Sequence, residues 1–344
     1  MKALTIGIPS YQRRESLLRL VGGLDRLAAS SPSSWAGVDV VVVLDGSTDG
    51  SREALEEYSG GLPRRVEWQV NGGLSNARNK CLKLAAGEVI WFLDDDLLPV
   101  EGTIDRHRQA HEGDAPCFLL GPCLIPDDVD VPPGVRQWWV DNYAPLAAKG
   151  AVTRFDQFGV ANASAPVDVL RGLGGFDESF TGYGWEDHEL GARVLGSGVI
   201  EYFDADAVAF HYTDTDERQA FDRQRSIGRA SVEVFRLHPE LAQDYFQRNH
   251  ARKLARLIAR VGALSPLALR TVASLAYATD GVVARLRGRQ VGLLHSLAWE
   301  AAFFSGVAEA DRGLLSLAMA RPGTPSISAP SDLVPKDHET DVPG

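Results

Sequence analysis

The sequence predicts an open, mostly parallel α/β sheet with flanking helices, followed by a helical C-terminal region. Three observations carry that reading. Short apolar runs alternate with helix-period stretches through the first hundred residues, the pattern of βαβ units around a parallel sheet. Two of those runs, VDVVVVL at 38–44 and EVIWFL at 88–93, are almost wholly apolar, as strands covered on both faces must be. Beyond residue 212 the strand pattern stops and helical spacing alone continues.

Taken in order, residues 3–9 read as a short strand, and 15–29 as a helix with Leu17, Leu18, Val21, Leu24 and Leu27 on one face. The β-branched run at 38–44 is a buried strand, 49–58 a helix, 65–70 a strand, 75–85 a helix and 88–93 a buried strand. In such sheets ligands bind beyond the carboxyl ends of the strands, so the turns after Ile8, Leu44, Val70 and Leu93 are expected to face one crevice. The pattern then weakens. Residues 117–125 read as one strand, and 126–150, with four prolines and the Trp138–Trp139 pair, as a loop-rich stretch. A helix is expected from about 166 and a stronger one over 185–195, then strands at 199–203 and 207–211 and a helix over 217–237. In the next helix Ala251, Leu254, Leu257, Ile258 and Val261 form an apolar stripe beside Arg252, Arg256 and Arg260.

The 344 residues are 44 % hydrophobic and 24 % charged, which supports a sizeable core and excludes global disorder. Thirty-five basic against 46 acidic residues give −11, which excludes non-specific coating of nucleic acid. The charge is unevenly placed: residues 248–289 hold nine basic side chains and one acid, Asp280, leaving −19 for the rest. Three cysteines cannot build a disulfide framework, so a reducing, cytoplasmic setting is expected. No secretory leader or membrane-spanning run is recognisable.

Five polar constellations stand out. Asp94-Asp95-Asp96 directly follows the strand VIWFL. Adjacent carboxylates there call for a cationic partner, met by a divalent metal on a diphosphate or, alternatively, by an acidic turn capping the next helix. Asp45, at the end of the VVVVL strand, is placed to accept a hydrogen bond from a base or ribose, whereas Asp49 reads as a helix N-cap. Arg78 lies one turn into a helix that starts at the crevice, suited to a phosphate or simply to the surface, and Asn79 reads as a local hydrogen-bonder. Glu186 and Asp187 follow GYGW at a helix start, where the dipole alone favours acids and a general base is the sharper reading. His211 ends the apolar strand AVAF as a structural residue or a metal ligand.

Together these residues resemble glycosyltransferase family 2, over about residues 5–211. IPSYQR at 8–13, VVVLDGSTDGS, the 71–79 segment ending in ARN, GEVIWFLDDD, and GGFDESF followed by GYGWEDHEL are similar to the family's elements, in order. The resemblance implies a GT-A catalytic domain at 1–212, divided into a nucleotide-sugar and metal half (1–100) and an acceptor half (101–212). A helical region at 213–320 and a disordered tail at 321–344 complete the expected organisation.

The resemblance also implies roles. Pro9, Tyr11, Arg13, Asp45, Asn71 and Arg78 would line the donor nucleotide, with Asp94 toward the ribose and Asp95 at the variable position. Asp96, with His211, would hold Mn²⁺ or Mg²⁺; Asp187 would act as base with Glu186 in support. The implied reaction is inverting transfer from a UDP-sugar to a hydroxyl on a carbohydrate, lipid-linked or small-molecule acceptor. Leu44 stands where many relatives have a second aspartate, and no Q-x-x-R-W element of processive synthases is present. A nucleotidyltransferase and a non-catalytic sugar-nucleotide-binding protein are the alternatives. Trp138, Trp139 and Trp185 are candidate stacking faces for the acceptor or core aromatics. The basic 248–289 segment fits peripheral contact with the inner face of a membrane, a solvated face, or pairing within a homo-oligomer.

Overall fold

The computed structural model describes residues 2–319 apart from 132, 183, 214–216, 251–252 and 288–291. The expected tail at 321–344 lies outside the described residues. The chain divides into two compact units, one of Met1–Gly182 with Glu186–Glu217, the other of Tyr183–Trp185 with Arg218–Gly344.

The first unit alternates as the periodicity predicts: β1 (Leu4–Ser10), α1 (Arg14–Ser30), β2 (Val38–Asp45), α2 (Ser51–Glu57), β3 (Arg64–Gln69), α3 (Leu74–Leu84) and β4 (Val89–Leu93). It continues through β5 (Leu97–Pro99), α4 (Thr103–Ala110), β6 (Cys117–Leu120), β7 (Cys123–Leu124) and α5 (Pro133–Lys149). Then come β8 (Asn162–Pro166), α6 (Val167–Gly172), α7 (Glu186–Ser197), β9 (Ile200–Phe203) and β10 (Ala209–His211). A seven-stranded sheet runs β3-β2-β1-β4-β8-β6-β9. Only β8 opposes its neighbours; the other pairs are parallel. A three-stranded sheet, β5-β10-β7, stands beside it.

The valine run of β2 shows why its sequence is unbroken. Val40, Val42 and Leu44 enter one core with Leu17, Leu20 and Leu24 of α1, while Val41 and Val43 enter a second with Ala77 and Cys81 of α3. Both faces are covered, so neither tolerates a polar residue. Pro9 is accommodated in β1 because β4 pairs only with Leu4–Gly7; further on, β1 bonds β2 alone.

Two expectations are corrected, and one strand is added. Residues 126–150 are not mainly loop, since α5 occupies Pro133–Lys149. Proline suits a first helical turn, and Pro145 is carried inside the helix at the loss of one backbone bond. Leu146 and Tyr143 repay that loss by packing, the latter stacked on Phe203 at 5.6 Å. The single strand expected over 117–125 breaks at Gly121-Pro122 into β6 and β7, which belong to different sheets. A Cβ on Gly121 would lie 2.0 Å from the Ala207 carbonyl oxygen, so only glycine allows this close pass. Strand β8, with its small NASAP sequence, carries no strand signal at all.

The second unit is helical: α8 (Glu217–Leu237), α9 (Pro239–Asn249), α10 (Lys253–Leu264), α11 (Pro266–Arg287), α12 (Gly292–Ala310) and α13 (Leu315–Met319). Gly228 of α8 and Gly306 of α12 let these two helices touch backbone to backbone, for a Cβ on either would lie 2.0 Å from a carbonyl oxygen across the crossing. Phe235, Tyr245, Phe246, His250, Phe303 and Phe304 form its aromatic core. Of the stripe expected on α10, Ala251 lies outside the described residues and Ile258 is buried as predicted, but the buried face is otherwise shifted. Ala255, Ile258, Ala259 and Gly262 are buried and Leu257 faces outward, because small residues allow the close packing of α10 on α12 and α13 that a leucine stripe would prevent.

One buried group in β9 sets a pH dependence. Glu201 is almost fully buried, and neither carboxylate oxygen has a hydrogen-bond partner among the described residues. Burial pushes its carboxyl from the ordinary 4.5 up to about 8. The unfolded chain loses this proton near 4.5 and the folded chain only near 8, so stability falls as pH rises between those values. Urea unfolding of Glu201→Leu is expected to show a gain of about 1–3 kcal/mol at pH 8 and a smaller one at pH 5. A gain that does not grow with pH would contradict this account.

Candidate functional site

The site is built where the parallel strands end. The turns after β1, β2, β3 and β4 meet at one edge of the sheet, and side chains lace them together. Gln12, at a left-handed φ of 55°, receives a hydrogen bond at its Oε1 from Thr48 N and donates its own backbone N–H to Ser47 Oγ. Asp49 accepts from Ser51 N at 3.1 Å and also from Arg14 N at 2.8 Å, so one carboxylate ties the starts of α2 and α1 together, while the N-cap position expected of it is taken by Gly50.

Asp45 is a turn organiser. Its Oδ1 accepts from Gln69 Nε2 and Gly72 N, its Oδ2 from Gly73 N, all within 2.9 Å. Asn71 donates to the Asp45 carbonyl. Gly46, at φ 80°, passes so close that a Cβ would lie 2.8 Å from that of Asn71. Asp45 and Asn71 therefore hold the β2 and β3 turns to one another.

Arg78 projects from α3 into the protein rather than toward the crevice. It is 2 % exposed, donates through Nη1 to Glu186 Oε1 at 2.8 Å and through Nη2 to Asp94 Oδ1 at 3.0 Å, and lies over the Phe176 ring. Burial opposes its charge, but Asp94 and Glu186 outweigh it and raise the guanidinium above its ordinary value. Asn79 makes a long-range clamp, not a local bond: it donates to Phe176 O and accepts from Phe176 N, fixing the GGFDE loop to α3.

The three aspartates after β4 have three different surroundings. Asp94 faces Arg78. Asp95 is buried and accepts from Ser10 Oγ at 2.6 Å; burial and then Asp96 push its carboxyl up to about 8. Asp96 Oδ2 lies 2.7 Å from Arg13 Nη1 and 3.3 Å from His211 Nε2. Burial disfavours its ionisation, and His211 and Arg13 overcome this and hold it below the carboxylate range. The small sheet brings His211 there, since β10 pairs with β5 so that His211 stands opposite Leu97, next to Asp96.

Glu186 and Asp187 begin α7 and are likewise unlike. Glu186 is buried against Arg78, and burial and Asp187 push its carboxyl up. Asp187 is disfavoured by burial but held below its ordinary value by His188 and Arg78. Its Oδ1 accepts from His188 N and lies 2.8 Å from His188 Nδ1, while Oδ2 has no hydrogen bond among the described residues. Tyr11 is exposed and Pro9 buried in β1. Trp185, weighed above as a stacking face, is 3 % exposed and edge-on to Phe235 and Tyr245 in the helical unit, with a left-handed φ of 74°. The side chains of Trp138 and Trp139 lie outside the described residues.

Ser10 and Glu178 lie within the quoted motifs but, like Gln69, carry no role from the sequence, although they support the site, Glu178 by accepting from Asn76 and Asn79. A buried network behind β4 escaped sequence reading altogether. Trp91 Nε1 donates to Asn162 Oδ1, His107 bridges Asn162 and Ser164, and His111 meets Ser164 Oγ at 2.8 Å. Burial drives His107 down to about 3 and His111 to about 4, leaving two neutral imidazoles. Asn162 also donates to the carbonyls of Pro122 and Ala207, tying β8 to the segment that leads into β10.

Residues 5–153 match the family model described as Glycosyl transferase family 2. That match covers a little over two-fifths of the chain, so it is this stretch that is similar to the family. It is 31 % identical over 223 residues to a validoxylamine A glucosyltransferase of Streptomyces hygroscopicus subsp. limoneus, covering 57 % of this chain and 48 % of that protein. The chain thus spans about half the length of that relative. It is 23 % identical over 277 residues to the uncharacterized glycosyltransferase YfnE of Bacillus subtilis (strain 168), covering 66 % and 68 %. Among solved structures, mannosyltransferase PcManGT from Pyrobaculum calidifontis, in complex with GDP-Man and Mn²⁺, superposes with TM-score 0.60 at 17 % identity over 90 % and 86 % of the two chains. S. aureus TarS 1–349 with UDP-GlcNAc gives 0.52 at 17 % over 90 % and 91 %. These likenesses establish the fold, a GT-A-type sheet with additional C-terminal helices.

The tie through Arg78 generates a test of how the site is held together. Arg78→Met leaves Glu186 and Asp94 without their shared cation and is expected to cost about 3–5 kcal/mol in urea unfolding. Adding Glu186→Gln should recover part of that loss. Equal stabilities of parent and Arg78→Met would show that the tie does not hold the site together.

Proposed function

We propose that this chain is a metal-dependent, inverting glycosyltransferase that moves a sugar from a nucleoside-diphosphate donor, a UDP-sugar, to an acceptor hydroxyl. The observation that carries the reading is the meeting of Asp96 Oδ2 and His211 Nε2 at 3.3 Å beyond the carboxyl ends of the parallel strands. Among the described residues no three His, Cys, Asp or Glu side chains gather to hold a metal. One carboxylate and one imidazole nevertheless fit a divalent cation that takes its remaining ligands from a diphosphate and water, and the imidazole favours Mn²⁺ over Mg²⁺. The solved relatives with GDP-Man and Mn²⁺ and with UDP-GlcNAc support the same donor class.

In this reading Asp96 and His211 hold the cation, which when bound offsets charge on the departing diphosphate. Exposed Tyr11 and the turn that Asp45 organises receive the nucleotide, with Asp94 beside the ribose. Asp187 takes the acceptor proton. Its Oδ1 is anchored by His188, its Oδ2 is left to accept, and its carboxyl is kept ionised. Glu186 supports it indirectly, through Arg78. Asp187→Asn is expected to lower kcat about 10²–10⁴-fold with donor affinity unchanged by calorimetry. Product analysis should find free nucleoside diphosphate; release of pyrophosphate, or near-parental turnover by Asp187→Asn, would refute the assignment.

A lipid-side acceptor is supported by the helical unit. Leu257, Leu264, Leu267 and Leu275 face outward on α10 and α11, Leu264 at 84 % exposure, and no acid occurs from Lys253 to Thr279. Exposed leucines in a stretch without acids suit an anionic membrane surface. No helix of the described residues is long and apolar enough to cross a membrane. Sedimentation with phosphatidylglycerol vesicles should show salt-sensitive binding that Leu264→Glu with Leu267→Glu abolishes. Failure of the parent chain to sediment would remove the membrane from this reading.

A further inference from the structure

Arg13 stands at the root of α1 with its head group on the acidic turn. Its Nη1 is 2.7 Å from Asp96 Oδ2 and its Nε 3.9 Å from Asp95 Oδ1. The same Asp96 Oδ2 is the oxygen that faces His211 Nε2. A divalent cation shared by Asp96 and His211 therefore draws on an oxygen that already serves a guanidinium. We propose that Arg13 is a placeholder for the cation: it neutralises Asp96 until a nucleoside diphosphate arrives with the metal, and then transfers its hydrogen bonds to that diphosphate. This inference rests on the metal-dependent reading above and adds to it an order of binding.

Charge and geometry both support the exchange. Asp95 and Asp96 are neighbours with little access to water, so without a cation beside them their repulsion is poorly screened. Metal arriving alone must displace Arg13 from Asp96 and leaves the guanidinium without a new anion. Metal arriving with a diphosphate supplies one, and guanidinium–phosphate pairs are strong and directional. Arg13 can make the move because its side chain is about one-third exposed, while Gln12 before it is pinned to Ser47 and Thr48. A fixed root with a mobile head is what a swinging arm needs. Metal and nucleotide affinities become coupled in consequence, and such coupling is reciprocal.

The test is a titration of the full chain with Mn²⁺ alone and with Mn²⁺ plus UDP or GDP, reading free Mn²⁺ by electron paramagnetic resonance. The parent chain should bind Mn²⁺ weakly alone and more tightly with the nucleotide. Arg13→Gln should bind Mn²⁺ alone about tenfold tighter than the parent, the equivalent of one charge-assisted hydrogen bond, and should lose most of the nucleotide's enhancement. Arg13→Lys, which keeps the charge but not the forked reach, should fall between the two. If the nucleotide tightens Mn²⁺ binding in the parent while neither variant binds Mn²⁺ alone more tightly, the placeholder is wrong and the metal site stands. If the parent takes up no Mn²⁺ with either nucleotide, both readings fail.

Discussion

Three consecutive carboxylates at the end of a buried strand are the constraint around which the first unit is arranged. Asp94, Asp95 and Asp96 follow β4, whose five residues are all buried, so the turn has little water to share its charge. Each acid is compensated from a different part of the chain. Arg78 comes from α3, Ser10 from the end of β1, Arg13 from the root of α1 and His211 from β10. These partners lie far apart in sequence and can meet only if β1, α3, β4 and β10 share one edge. The acidic turn thus penalises any arrangement in which those elements do not converge, and it links the fold's correctness to the site's charge balance.

The acids of the site are also differentiated in pairs. Asp95 is pushed up while Asp96 is held down; Glu186 is pushed up while Asp187 is held down. In each pair the acid that keeps its charge is the one touching a histidine, His211 or His188. Adjacent carboxylates whose surroundings drive them apart divide the work of a site between them. Here the charge collects at two places, Asp96 beside His211 and Asp187 beside His188, while the other two acids sit against Ser10 and Arg78.

Sequence reading recovered the parts of the fold that rest on local periodicity. The β1 to β4 repeat was legible because each strand is apolar on both faces and each helix has one apolar stripe. It failed where long-range packing overrides local preference. Strand β8 lies between β4 and β6 with small residues because Trp91 and His107, stacked at 4.4 Å, fill the space beside it; no window of five residues can show that. Helix α5 was masked by prolines that sit at tolerated or compensated positions. The site's motifs were legible as positions but not as directions. Arg78 and Asp95 occupy the expected elements, yet their side chains turn into the protein, and direction is set by partners more than ten residues away.

That distinction changes what the crevice can offer a ligand. Asp45 has both carboxylate oxygens occupied by Gln69, Gly72 and Gly73, Arg78 is enclosed by Glu186 and Asp94, and Asp95 is held by Ser10. Such groups fix the shape of the turns, while the Tyr11 ring is exposed and Asp94 and Asp187 are partly so. A rigid, internally bonded wall with a few open polar groups is a preorganised site, one that has met its ordering cost before a ligand arrives. Arg13 is the exception. Among the described residues at the acidic turn it combines a charge with a side chain about one-third exposed, next to a Gln12 held by Ser47, and it bonds the acid that His211 also faces.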